Sequence, residues 1–308
     1  MKLLVRHQTV YNYEAGSSRV AMVLKLKPRN HDAQKVLDWS VTVNDTLIDS
    51  FAPNGYGDLE ALWIRHDRTD SATILATGLV ETTDASGIVA GLEERLDPRI
   101  YLRGTRLTTA SPEMRDMALC LSPSDPLDRL HALSAAVIGR VEYRGGVTTS
   151  ATTAAESFAI GAGVCQDHAQ IFIATARSLG FPARYVTGYL LAQGEDALHE
   201  THAWAEVLVP RLGWVGFDAS NQICVTDHYI RVASGMDADD AAPVRGSVTA
   251  AGSIWIDADV RIAQASEDER EQQLQRQQQQ QRQSGMQAQT QMQRMGANVP
   301  ADGEAGGR

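Results

Sequence analysis

From residue 2 to about residue 80, apolar and polar positions alternate. The runs LLVRHQTVYNY, RVAMVLKLKP, VLDWSVTV, ALWIRH and TILATGLVET repeat at the two-residue period of a strand, and turn-rich breaks such as Pro28-Arg29-Asn30 and Pro53-Asn54-Gly55 separate them. Several short strands joined by turns predict an antiparallel, sandwich-like β domain over residues 1–106. His7, Tyr11 and Tyr13 fall at alternate positions of the first run and read as packing and surface groups rather than a binding stripe. The alternation fades after Asp84, and Pro98-Arg99-Ile100-Tyr101-Leu102 reads as an extended linker. Beyond it the period lengthens. Pro112 to Leu121 and Pro126 to Val141 are expected helices, the second with Leu127, Leu130, Leu133, Val137 and Val141 at helical spacing and a proline near its start. Thr153-Ala-Ala-Glu156 has the form of a capping box and opens a short helix that ends at Gly161.

The next stretch, GAGVCQDHA over residues 161–169, turns sharply and leads into an apolar-rich helix that stops at Gly180. Cys165 therefore stands at a helix N-terminus, where unpaired backbone N–H groups and the helix dipole favour a thiolate over a thiol. After Gly180 the pattern returns to strand in FPARYVTGYLL, followed by a polar loop from Gln193 to Glu200. In the strand after that loop, His202, Trp204 and Glu206 share one face, and Ala203, Ala205 and Val207 share the other. A turn at Pro210-Arg211-Leu212-Gly213 leads back along Trp214 to Asp218, a hairpin that sets Asp218 roughly opposite the start of the His202 strand. Strand-like runs, among them SIWIDADVRI, close the folded part near residue 264.

A poised thiol becomes a nucleophile when a base and an orienting group accompany it, and His202 and Asp218 follow Cys165 in that order. Of the other histidines, His168 lies three residues beyond Cys165 on the same helix and reads as a supporting or packing group, while His199 falls in the polar loop. Cys224 and His228 resemble half of a metal site, yet two more ligands are missing. Asp167 is expected to meet the free N–H groups of the helix's first turn or to hold a neighbour. The aromatic rings of Trp204 and Trp214 either wall the site or fill the core.

The segments GAGVCQDHA, PARYVTGYL, THAWAEV and GWVGFDASN, in that order, resemble the transglutaminase-like core, a papain-related cysteine fold, in bacterial proteins that also carry a β-rich N-terminal region. The resemblance covers most of residues 1–264 and implies an α+β protein with a central helix packed on an antiparallel sheet over residues 107–264. It also implies a nucleophile, base and orienter at Cys165, His202 and Asp218, and hence cysteine-dependent acyl transfer on amide bonds. Hydrolysis is the expected outcome, with protein-glutamine transamidation and a non-catalytic scaffold as the alternatives. The backbone N–H of Cys165 is the first expected oxyanion donor. For the second, Gln166 occupies the place where eukaryotic-type transglutaminases carry Trp, and Tyr143 in VEYRGG reads equally as a donor or as a packed aromatic.

Composition narrows the partners. With 308 residues, 43% hydrophobic and 21% charged, the chain has the make-up of a soluble protein of two domains. A net charge of −10 argues against nucleic acid, since phosphate binding needs a basic surface. The start, MKLLVRHQTVYNYE, reads as neither a signal peptide nor a membrane span. Cys120, Cys165 and Cys224 are too few and too scattered for a disulfide framework or a zinc site, so a reducing cytoplasm is the expected setting. The expected partner is a peptide or protein substrate presenting an amide or glutamine carbonyl, without a membrane; a homo-oligomer is compatible with the sequence. No cofactor is required by this chemistry, and no acidic loop suggests calcium. From about residue 265 the chain turns to glutamine, in QQLQRQQQQQRQ and QAQTQMQRM, a composition expected to leave a disordered tail.

Overall fold

Strand pairing begins with one very long element. The first two apolar–polar runs are a single 26-residue strand, β1 (Lys2–Lys27), rather than two strands with a turn between them. At Gly16 the backbone takes a φ of 72°, and the pairing register shifts between Asn12 and Ser17, so the chain bends without reversing. The region around Glu14-Ala15-Gly16 thus acts as a bulge. The computed structural model describes residues 1–191, 201–250 and 252–266. The expectations for His199, for the loop from Gln193 to Glu200, and for the glutamine-rich segment beyond Ser266 lie outside the described residues.

After β1 come β2 (Gln34–Val43), β3 (Thr46–Leu47), β4 (Ala52–Pro53), β5 (Leu59–Arg65), β6 (Thr69–Thr82) and β7 (Ile88–Val89). Helices α1 (Pro112–Leu119) and α2 (Pro126–Arg140) are followed by β8 (Glu142–Tyr143), α3 (Ala154–Ile160), β9 (Ala162–Gly163) and α4 (Cys165–Ser178). The chain then forms β10 (Ala183–Leu190), β11 (Thr201–Val209), β12 (Gly213–Asp218), β13 (Ile223–Cys224), β14 (Tyr229–Gly235), β15 (Val244–Ala250) and β16 (Ile254–Gln264). The helix starts follow their sequence signals. Asp125 accepts hydrogen bonds from the backbone of Leu127 and Asp128, Thr153 and Glu156 form the capping box, and Gly161 closes α3 with a φ of 74°.

The first half of β1 pairs with β6 and β16, and its second half pairs with β5 and β15, all antiparallel. The bent strand thereby serves both halves of a sandwich-like sheet, with Leu24, Val41, Val43, Ile74 and Trp63 buried within it. The second sheet runs β13-β12-β11-β10-β14, with β7 added beside β12. Pairing therefore crosses residue 106 in both directions, because β7 joins the second sheet while β15 and β16 return to the first.

Helix α4 is buried along nearly its whole length. Ile171, Phe172, Ile173 and Ala176 pack between the second sheet, represented by Ala203, Ala205, Val207 and Phe217, and the buried faces of α1, α2 and α3. Enclosure of both its apolar and its polar residues, among them Asp167, His168, Gln170 and Arg177, requires partners for the polar ones as well. Pro98–Leu102 is a 3-10 helix rather than an extended linker. Asp97 caps it, and Tyr101, 1% exposed, packs edge-on against Trp214 at 5.3 Å, so burial of one aromatic ring overrides the extended reading.

The sheets meet through Leu3, Val5 and Val260 on one side and Tyr189, Ile230 and Val232 on the other. Beside this apolar seam lies a fully buried ionic lattice. Glu206 accepts from Arg184 Nε at 2.6 Å and Arg231 Nε at 2.9 Å, and Arg231 Nη1 also donates to Asp58 at 2.8 Å. The second Asp58 oxygen takes the backbone and hydroxyl of Ser234, at 2.6 and 2.9 Å. Burial works against the Glu206 charge, but the two guanidinium groups outweigh it and hold the carboxyl down at about 2. Met1–Gln264 form one compact unit.

Candidate active site

The local sequence around Cys165 forces a tight approach. Gly163 lies so close to Asp167 that a Cβ at this glycine would sit 2.6 Å from the Asp167 Cβ. The space it leaves lets the Asp167 carboxylate fold back over the turn, where one oxygen accepts from Val164 N at 2.8 Å and from the Thr148 hydroxyl at 2.7 Å. Asp167 is thus committed to the loop that starts α4, as a holder of its neighbours. Cys165 is the first residue of α4 and half-buried. As a first-turn residue it has no intrahelical partner for its N–H.

His202 reaches the same place from β11. That strand pairs with β10, with His202 opposite Gly188, and with β12, with Ala205 opposite Phe217 and Val209 opposite Gly213. This register sets the His202 end of β11 beside the Asp218 end of β12. His202 Nε2 lies 2.7 Å from Asp218 Oδ2, and the Cys165 sulfur stands beside the same ring, close enough to interact with it. Burial opposes a charge on His202, yet the hydrogen bonds to Asp218 and Cys165, with their charges, prevail and raise it to about 10. The ring is therefore an imidazolium at neutral pH.

Asp218 is fully buried and saturated with donors. Besides His202, Oδ2 accepts from the Tyr229 hydroxyl and from Asn221 Nδ2, each at 2.7 Å. Oδ1 accepts from the backbone N–H groups of Ser220 at 3.0 Å and Asn221 at 3.2 Å. Burial alone would raise its carboxyl, but these bonds, led by His202, pull it below the usual range.

A cleft of about 300 Å³ opens over these groups. Cys165, Gln166 and His202 line it, with Tyr185, Thr187 and Ala242 around them. Trp204 is buried beneath the ring of His202, stacked at 6.4 Å and 28°, and meets Tyr229 edge-on at 5.4 Å. It supports the histidine from below, whereas Trp214 belongs to the core around Tyr101. Tyr143 is half-exposed on β8 and stands edge-on to His168 at 5.8 Å. His168 is buried, with one ring nitrogen 3.0 Å from the Val141 carbonyl and the other 3.0 Å from the Ser220 hydroxyl. Burial lowers its pKa, so the neutral ring donates to the carbonyl and accepts from the serine. Cys224 lies on β13 opposite Phe217, with its sulfur 4.0 Å from His131 Nε2.

Three contributors escaped the reading of the sequence. Asn221 and Ser220 lie inside GWVGFDASN, and an Asp followed by Ser and Asn is the pattern in which a side chain accepts from the backbone just ahead of it. Tyr229 had no local signal, because it arrives from β14 through the sheet.

The family model of the transglutaminase-like superfamily matches residues 116–219, and that of the bacterial transglutaminase-like N-terminal region matches residues 3–81. An uncharacterized protein of Mycobacterium tuberculosis is 30% identical over 272 residues, covering 79% of this chain and 86% of its own length. The chain belongs to the transglutaminase-like superfamily. An uncharacterized protein of Mycobacterium leprae is 25% identical over 284 residues, 85% of this chain and 99% of that protein. Among solved structures, one from Cytophaga hutchinsonii, described as a candidate cysteine protease, superimposes with a TM-score of 0.70 at 23% identity, over 86% of this chain and 91% of that one. The fold is thus transglutaminase-like.

Proposed function

We propose that this protein is a thiol-dependent amide hydrolase in which Cys165 is the nucleophile, His202 the acid–base group and Asp218 its orienter. The observation that carries this reading is the single imidazole shared between a thiol at a helix start and a buried carboxylate, at the floor of an open cleft. With the proton of the pair already resting on His202, the Cys165 sulfur forms a bond to the substrate carbonyl carbon while the π pair moves onto oxygen. The N–H of Cys165 meets that oxyanion. Collapse breaks the C–N bond, with the His202 proton leaving on the amine, and a water that surrenders its proton to His202 then opens the thioester. Asp218 keeps the ring turned throughout and stabilises the imidazolium whenever it forms.

The substrate on this reading is a peptide or protein offering a backbone or glutamine carbonyl. The description of the Cytophaga hutchinsonii protein favours water over an amine as the acceptor. A cytoplasmic setting belongs to the same proposal, since the reaction needs Cys165 reduced. The test is mass spectrometry of the wild type and Cys165→Ala after incubation with a mixed peptide library, with and without a primary amine. Cleaved or deamidated products that vanish in the variant are expected. Amine adducts on glutamine would move the assignment to transamidation, and identical profiles for the two proteins would overturn the enzymatic reading in favour of a binding scaffold.

A further inference from the structure

We propose that the Tyr185 hydroxyl is the side-chain donor that completes the oxyanion site at Cys165, a role that rests on the hydrolase reading above. Tyr185 lies on β10, opposite Ala205 of β11, and its ring is packed into the core beside α4 at 4% exposure. The same residue lines the cleft together with Cys165 and His202. Among the described residues its hydroxyl has no hydrogen-bond partner, and it is absent from the sealed, unpartnered polar atoms of the interior. The ring is thus held rigidly by packing while its O–H remains available at the cleft.

Charge reinforces the geometry. Burial, and then the charges of Cys165, Asp167 and Asp237 near it, push the Tyr185 hydroxyl well above its ordinary value, so it stays protonated and acts only as a donor to an anion. Negative charge that moves from the Cys165 sulfur to the carbonyl oxygen then finds two donors, the first-turn N–H and this hydroxyl. By contrast, Tyr143 stands against His168 on strand β8, and Gln166 is an amide at the cleft wall.

The experiment needs no knowledge of the natural substrate. p-Nitrophenyl acetate acylates a thiol through a tetrahedral oxyanion, with an S–C bond formed and p-nitrophenolate expelled, whereas iodoacetamide alkylates the same sulfur by displacing iodide, with no oxyanion. Both rates are measured on the wild type, Tyr185→Phe and Cys165→Ala. Loss of a single donor is expected to slow acylation of Tyr185→Phe by about 10²-fold, with alkylation and melting temperature unchanged. Equal acylation rates would overturn the role of Tyr185 and leave the hydrolase reading standing. A parallel fall in both rates, or a fall in melting temperature, would mark Tyr185 as a packing residue and overturn it as well. Failure of the wild type to acylate at Cys165, judged against Cys165→Ala, would remove the hydrolase reading itself and this inference with it.

Discussion

Replacing Asp218 with Asn tests the heart of the site. The carboxylate accepts three hydrogen bonds on Oδ2, from His202, Asn221 Nδ2 and Tyr229, and two on Oδ1, from the backbone of Ser220 and Asn221. An amide keeps one acceptor oxygen and turns an N–H2 group toward the other set. In the cheaper orientation the two backbone donors lose their partner, and at about 1–3 kcal/mol for each buried unsatisfied group the fold loses about 2–6 kcal/mol. The charge disappears as well. Raising His202 from 6.5 to about 10 corresponds to about 5 kcal/mol, shared between Asp218 and Cys165. Without the carboxylate, burial is opposed only by the thiol side, and the imidazolium should release its proton at least ~2 pH units earlier. The assay is an NMR titration of the His202 ring in the wild type and in Asp218→Asn, with thermal melting alongside. Turnover should fall by about 10⁴-fold, the loss a comparable change causes in a serine triad. A folded Asp218→Asn protein whose His202 titrates as in the wild type would refute the reasoning.

Two further outcomes follow from buried charge. Arg231→Met removes the cation between Glu206 and Asp58, so Glu206 keeps one of its two guanidinium partners and Asp58 keeps only Ser234. A loss of about 3–5 kcal/mol in denaturant unfolding is expected, and a loss below ~1 kcal/mol would show that the lattice is not under electrostatic load. The second outcome is a stability curve that declines on both sides of pH 6.5. Burial lowers both His7 and His31 to about 4, so between pH 6.5 and about 4 the unfolded chain takes up protons that the folded chain refuses, and stability falls with pH. His202 acts in the opposite sense. Its folded form keeps, up to about pH 10, a proton the unfolded chain sheds near 6.5, so its contribution is lost as pH rises through that window. Unfolding free energies measured from pH 4 to 10 should show His7→Gln flattening the acid limb and His202→Gln the alkaline limb. A flat wild-type curve would contradict both.

The alternation of apolar residues and the caps at Thr153 and Gly161 made the elements legible because those signals are local. Cys165, His202 and Asp218 were legible for a different reason, the order of four motifs that resemble a known core, while the register of the hairpin joining His202 to Asp218 stayed open until β11 and β12 were seen paired. What stayed hidden was distant. Nothing near residues 12–18 distinguishes a bend from a turn until β6, β15 and β16 supply partners on both halves of β1. Pro98–Leu102 looked extended because the ring that folds it, Trp214, lies far along the chain. Tyr229 and Tyr185 met the site through the sheet, where pairing brings together residues that sequence spacing cannot connect.

The same long strand has a consequence for how the chain is made. On the ribosome β1 emerges ahead of the helical core, yet β15 and β16, which cover one edge of each of its halves, are translated after the whole of that core. Until then the early sheet carries an open row of backbone donors and acceptors, the kind of edge that recruits foreign strands. The helices around α4 make more local contacts and can close first, while the closing of that edge waits on pairs such as Leu3 with Gln264, among the most distant in the fold. A nascent chain stalled before residue 244 should therefore hold a nearly finished core beside an adhesive, unfinished sheet, and aggregation during synthesis should depend more on those last strands than on anything in the thiol site.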